Sequence, residues 1–198
     1  MKLHYSPQSQ YVRKVMATAI ETGMLDRIEL IKDKKDLEKH NPLLKRPTLI
    51  SDDDDPIFDS PVICEYIDSL AGNKIIPKSG RARWKALTQE ALADGAMEAA
   101  GGIQHDKQYH KGHESKEWHE RQMLKVIQSL DAFEEQAASG ELGGVTIGTL
   151  TIAIMLGYFE FRHSAILDWR KGRPALAEWY ETFSKRPSIA KTMTVQQT

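Results

Sequence analysis

Between residues 71 and 80 the sequence changes character, and the change limits the folds open to the chain. Ahead of this point short alternating runs take turns with helical spacing; beyond it every strong pattern is helical. "MKLHY" alternates and predicts a strand ending at Ser6 and Pro7. Val12, Val15, Met16, Ala19 and Ile20 then recur at helical spacing over 10–23, and Gly23 stands where a C-cap belongs. Residues 26–33 alternate again, with Ile28 and Leu30 on one face, and the charged stretch 34–40 predicts a short irregular helix. "PTLI" and "PIFD" predict two short strands joined across 51–55, followed by a helix over 61–70. A strand–helix–strand unit followed by a hairpin and a helix predicts a small mixed sheet covered by helices.

"AGNKIIPKSG" interrupts this order with glycine, proline and lysine, and its later part reads as a linker. The expected division is a mixed domain over 1–75, a linker over 76–80 and an all-helical domain over 81–198. Long helices are predicted over 81–105, 116–138 and 147–162, with shorter ones after Pro174 and Pro187. "LTIAIMLGYF" is apolar nearly all round, which places its helix in the centre of the second domain. Thr146 is its predicted N-cap, with Val145 and Leu150 at the two positions of a hydrophobic staple.

A chain of 198 residues buries a core without staples, and its single Cys64 excludes both an intrachain disulfide framework and a cysteine zinc cluster. The formal charge of −1 gives no reason to expect a nucleic-acid or membrane-surface partner. No apolar run approaches the length of a bilayer span. "MKLHYSPQ" lacks the apolar core of a signal peptide, so cytoplasmic residence is the expectation.

Three short stretches carry candidate chemistry. In "SPQSQYVRKV" Ser9 stands just before the first helix, as a cap or as a donor to a reactive group. In "FDSPVICEYI" Ser60 reads as N-cap and Pro61 as the first helical residue. The free backbone donors of that helix end suit a carboxylate, and Asp59 beside it suits an ammonium group, although capping alone explains the motif. In "NPLLKRPTLI" Arg46 precedes Pro47 at a strand entrance, where the backbone of Arg46 is open to an extended peptide ligand. His105, His110, His113 and His119 read as a solvated polar turn, and Asp52 to Asp55 as a hairpin turn lacking the glycine and distal glutamate of a calcium loop. No metal is expected.

The order of these pieces resembles the glutathione S-transferase family over nearly the whole chain. It looks closest to the bacterial serine-type branch, whose members carry a run like S-P-x-S-P-[FY]-V-R-K-[VL]; "EALADGAMEAA" and "TIAIMLGYFEFR" resemble stretches of their second domains. The resemblance implies an α/β plus all-α fold, a thioredoxin-like glutathione-binding domain followed by an α-helical domain. It also implies glutathione as co-substrate, an electrophilic small molecule as second substrate, a homodimer and a role in detoxification. On it, Ser9 holds the position of the activating residue, with Ser6, Tyr5 and Tyr11 as rival donors. Arg46 and Pro47 fall at the backbone that pairs with the glutathione cysteine, the proline being cis, and Asp59 and Ser60 at the γ-glutamyl site. Lys34, Lys35 or Lys45 would meet the glycine carboxylate, and 97–113 would supply the electrophile pocket. The chain departs from the family at Gln10, where proline is frequent, Leu44, where glycine is common, Arg46, where a small apolar residue is usual, and Thr149, where aspartate is usual.

The thiolate is the reactive form of glutathione, and a hydroxyl at a helix N-terminus favours it through both hydrogen bond and dipole. Ser9 and Val12 have C-x-x-C spacing without either cysteine, which excludes a glutaredoxin-like or cysteine-type mechanism. Two readings remain beside the transferase: a non-catalytic glutathione- or partner-binding module, and a glutathione-dependent isomerase using the same thiolate.

Overall fold

The computed structural model describes residues 1–32 and 36–193. Its sheet is built around β1 (Lys2–His4), whose Leu3 and His4 are fully buried. β1 runs parallel to β2 (Glu29–Ile31), pairing Leu3 with Leu30, and antiparallel to β3 (Thr48–Ile50), pairing Leu3 with Leu49. The short β4 (Pro56–Ile57) completes the order β2-β1-β3-β4. A parallel pair needs a crossover, and α1 (Gln10–Thr22) supplies it. Ser9 caps α1 by accepting the Val12 N–H, and Gly23 ends it at φ 76°, a left-handed position that costs glycine nothing. β2 is shorter than the alternation over 26–33 predicts, because a 3-10 turn over Leu25–Arg27 takes up its beginning. The irregular helix expected at 34–40 is present as α2 (Leu37–His40); Lys34 and Lys35 lie outside the described residues.

α3 (Ser60–Leu70) starts one residue earlier than predicted. Its N-cap is Asp59, whose carboxylate accepts the Ser60 N–H, so Ser60 is the first helical residue and Pro61 the second. A carboxylate on an extended residue is as good a cap as a serine hydroxyl, and the choice leaves the Ser60 hydroxyl out of capping.

The chain crosses between its two halves on a packed segment. Ile75 and Ile76 are buried, and the fully buried Asp68 carboxylate accepts the N–H groups of Lys74, Ile75 and Ile76 at 2.8, 3.0 and 2.8 Å. α4 (Gly80–Tyr109) continues past the predicted 105, since neither glycine nor proline stands between Gly102 and Gly112. α5 (Lys116–Ala138) and α6 (Ile147–Arg162) have the bounds that their patterns predict. α7 (Pro174–Phe183) and α8 (Pro187–Ala190) each begin at a proline.

α6 is the centre of the helical half, buried from Ile147 to Phe159. Thr146 caps it, and Thr149 answers from the third position with its own hydroxyl, so the capping box is complete without an aspartate. At Gly148 an added Cβ would lie 2.7 Å from the Ala86 carbonyl oxygen, and this is how α6 comes so close to α4. α1 packs against α3 on the sheet side and against α6 and α8 on the other, so one helix serves both halves. The observed architecture is a small mixed sheet with its helices followed by a helical region, as expected.

Candidate functional site

The wall formed by the loop before β3 rests on Asn41, buried at 1% exposure. Its side-chain amide donates to the Lys45 carbonyl at 3.2 Å and to the Thr48 hydroxyl at 2.9 Å, and its oxygen accepts the Leu43 N–H at 2.9 Å. Within this loop Leu44 adopts φ 53°, the left-handed region, at the position where the family resemblance led to glycine. The loop delivers Arg46 and Pro47 to the head of β3 through a cis peptide bond, as the resemblance implied. Sequence reading passed over Asn41, although Asn before Pro is a recognisable turn signal.

Facing this loop stands the start of α3. Ser60 is 1% exposed and its hydroxyl, freed from capping, has no hydrogen-bond partner among the described residues. Tyr11 of α1 completes the floor. Burial, and then the nearby Asp94 carboxylate, push its phenol above the ordinary tyrosine pKa, so it stays a neutral O–H donor. Together Lys45, Arg46, Pro47, Asp59, Ser60 and Tyr11 line one cavity of about 180 Å³, closed on its far side by Asp94 and Glu98 of α4. The cavity thus lies between the two halves of the protein.

Ser9 is placed differently. With Val12, Arg13 and Met16 it forms one face of α1, lining a neighbouring cavity of about 310 Å³ whose other side is Lys191, Thr192 and Met193. Tyr5 and Ser6 line this second cavity too. The structure therefore brings four of the five sequence-derived site residues into one cavity and sets Ser9 beside it, on the same first turn of α1. Of the expected electrophile region 97–113, Glu98 lines the first cavity and no residue lines the second. Of the three lysines considered for a carboxylate, Lys45 lines the first cavity. Cys64 is fully buried beneath the Thr18 hydroxyl, and burial pushes its thiol up to about 12, which makes it inert.

One buried group was not anticipated. Lys14 has 0% exposure, with Nζ 2.9 Å from Glu90 Oε1 and 2.5 Å from Asp94 Oδ2. Burial works against its ammonium, but the two carboxylates outweigh burial and raise its pKa. Burial raises the pKa of Glu90 and of Asp94 as well, against the pull of Lys14, because two carboxylates share one ammonium. The available signal was in "EALADGAMEAA", where Glu90 and Asp94 stand four apart on an alanine-rich helix. Like charges at that spacing repel unless a cation comes between them. Elsewhere, Asp106 accepts from His110 at 2.7 Å and His119 at 2.8 Å, which ties the end of α4 to α5.

A mixed four-stranded sheet with a cis proline at a cavity edge, joined to a helical bundle through a shared first helix, defines a thioredoxin-like protein with an appended helical domain. Residues 8–70 match the description "Glutathione S-transferase, N-terminal domain", and residues 116–182 match "Glutathione S-transferase, C-terminal domain". A glutathione transferase family member from Pseudomonas fluorescens, solved with bound glutathione, is 35% identical, with a TM-score of 0.92 over 98% of each chain. A second structure from that organism holds S-(propanoic acid)-glutathione; it is 36% identical, with a TM-score of 0.89 over 98% of this chain and 100% of that one. The uncharacterized GST-like protein YibF of Escherichia coli is 32% identical over 97% of this chain and 98% of its own. This chain belongs to the glutathione S-transferase family. No helix among the described residues is long and apolar enough to cross a membrane.

Proposed function

We propose that the protein is a glutathione transferase of the bacterial serine-type branch, which binds glutathione in the cavity between sheet and α4 and directs its thiolate at an electrophilic small molecule. The observation that carries this reading is the buried, unpartnered Ser60 hydroxyl in the same cavity as the cis Arg46–Pro47 bond. A buried hydroxyl without a partner is costly, and a ligand carboxylate at the start of α3 would supply one. The Arg46 backbone would pair with the cysteine residue of the ligand, Asp59 and Ser60 would hold the γ-glutamyl end, and Lys45 the glycine carboxylate.

Ser9 would donate its hydroxyl proton to the ligand sulfur while its oxygen keeps the Val12 N–H, since one hydroxyl serves both bonds. The thiol proton would pass to solvent and the sulfur lone pair would form the new S–C bond. With a halide the C–X pair would leave with the halide ion; with an epoxide or isothiocyanate the displaced pair would stay on the product's oxygen or nitrogen, which takes a proton from solvent. Two features support this step. The first turn of α1 borders both cavities, so a sulfur at its end would reach from one to the other. The S-(propanoic acid)-glutathione held by the Pseudomonas fluorescens neighbour has its sulfur joined to carbon, as in a conjugation product. Glutathione-dependent isomerisation would use the same thiolate without net transfer.

The proposal extends to a domain division at 1–75 and 81–198 and to a cytoplasmic homodimer acting in detoxification. Val62 of α3 and Trp84 of α4, 53% and 65% exposed, support a subunit contact on that side. The second reading is a non-catalytic glutathione-binding module, which the separation of Ser9 from the other four residues favours. Calorimetry with glutathione, followed by turnover with halides, epoxides and isothiocyanates, tests both. Binding with turnover is expected; binding without turnover on any acceptor favours the module, and no binding refutes both.

A further inference from the structure

The cavity beside Ser9 carries a charge that the glutathione reading does not use. Arg13 and Lys191 line it, and no carboxylate does. Lys191 is exposed, whereas Arg13 is 7% exposed. The Arg13 guanidinium donates to the Ile189 carbonyl and to the Thr192 hydroxyl, both at 3.3 Å. An added Cβ at Gly157 of α6 would lie 2.8 Å from its Nη1, so the missing side chain at Gly157 is the room that the guanidinium occupies. Among the described residues neither Arg13 nor Lys191 forms an ion pair. Glu160, the carboxylate whose field reaches Arg13, is itself bound by Arg170 at 2.7 Å. A third cation stands at the rim: Arg162 Nη2 donates to Gln8 Oε1 at 2.9 Å, and Gln8 lines the cavity. Its partners are neutral too, Gln8 and the face of the Phe161 ring. A cleft lined by one sign of charge concentrates ligands of the other, and a buried charge without a counter-ion is costly until one arrives.

We propose that this second cavity takes electrophiles bearing a carboxylate, held by Lys191 over the buried charge of Arg13 while the reactive carbon faces the sulfur at Ser9. The inference rests on the glutathione reading and adds to it the chemical class of the second substrate. Val12 and Met16 give the same cavity an apolar wall, so the acceptor that fits has an apolar body and an anionic end. Lys191 brings three N–H donors on a flexible stem and bonds the carboxylate directly. Arg13 has a fixed place on the floor and stays charged there. Arg162 acts as a positioning residue, since its bond to Gln8 holds the loop that carries Ser9 against the end of α6. A neutral acceptor of the same shape would leave all three cations without an anion.

The test is the ratio of two affinities, for S-(para-carboxybenzyl)glutathione and S-(para-carbamoylbenzyl)glutathione, measured calorimetrically on the full chain with glutathione itself alongside. The two conjugates differ only in a carboxylate against an amide, and their binding is read whether or not turnover occurs. The unmodified protein is expected to prefer the carboxylate by roughly tenfold or more, the scale of a hydrogen bond to a charged group. Arg13→Gln should bring the ratio close to one. Lys191→Gln, at an exposed position, should lower it part of the way and decides the matter if Arg13→Gln does not fold. A ratio near one in the unmodified protein, or a ratio unchanged in the folded variants, overturns the inference while glutathione binding stands. If Lys191 instead holds a carboxylate of glutathione, Lys191→Gln weakens both conjugates alike and leaves the ratio unchanged, which also overturns it. Failure of glutathione and both conjugates to bind overturns the parent reading and this one with it.

Discussion

Replacing Lys14 by methionine tests whether α1 joins the two halves of the protein through charge. Methionine keeps most of the length and apolar character of the stem, so packing changes little and the ammonium is what disappears. Glu90 is then left with its side chain 4% exposed and Asp94 with 19%, neither paired with a cation. Breaking a buried ion pair from one side costs about 3–5 kcal/mol, because the remaining charge is stranded. For a chain of this size each kcal/mol corresponds to roughly 2–4 °C, so the melting temperature should fall by roughly 6–20 °C.

The pH dependence follows from the sign of the shifts. Burial raises the folded-state pKa values of Glu90 and Asp94 above those of the unfolded chain. The folded state therefore holds these protons more tightly, and stability falls as pH rises through the folded pKa values. Without Lys14 these values rise further, so the deficit of the variant should be greatest near neutrality and shrink as the solution is acidified toward pH ~5. His163, whose burial holds its imidazole down to about 4, loses stability over the same range in both proteins, and the difference between them removes its contribution. Urea denaturation of both proteins across this range is the assay. A deficit below ~1 kcal/mol, or one that does not change with pH, would show that Lys14 is not charged against these carboxylates, and the reasoning would fail.

Ser9→Ala should lower conjugation roughly tenfold or more with a much smaller change in glutathione affinity, whereas Ser6→Ala should not. If Tyr11→Phe loses turnover and Ser9→Ala retains it, the phenol is the donor instead. Ser60→Ala should weaken glutathione binding with little loss of stability, since Asp59 is the cap; Asp59→Ala should cost about 1 kcal/mol in denaturant unfolding, and the reverse pattern would restore Ser60 as the cap. Arg46→Val should raise the apparent pKa of bound glutathione thiol in an ultraviolet titration; an unchanged value removes Arg46 from thiolate stabilisation. Leu44→Gly should stabilise the protein by about 0.5–1 kcal/mol, because the residue is 61% exposed and sits at positive φ; destabilisation would mean that the exposed side chain packs more than its surroundings indicate.

What the sequence by itself determined are the features set by neighbours within a few residues. Gly23 ends α1, Thr146 begins α6, and the bounds of α5 and α6 follow from spacing and caps, because a helix closes its bonds four residues apart. The all-round apolarity of α6 also announced its central place, since no other position hides every face of a helix. Even at this range competition blurs the result: Asp59 and Ser60 both suit an N-cap, and the structure takes Asp59. The tertiary structure alone decided which cavity each site residue faces. Ser9 and Tyr11 stand only two apart, yet the cavity beside Ser9 is completed by residues 191–193 and the one beside Tyr11 by the loop before β3 and by α4, partners that only packing supplies. Lys14 carries no mark of burial in its own helix, because the carboxylates that hold it lie 76 and 80 residues further on. Spacing records which residues share a helix face; which distant charges meet that face depends on how the helices pack.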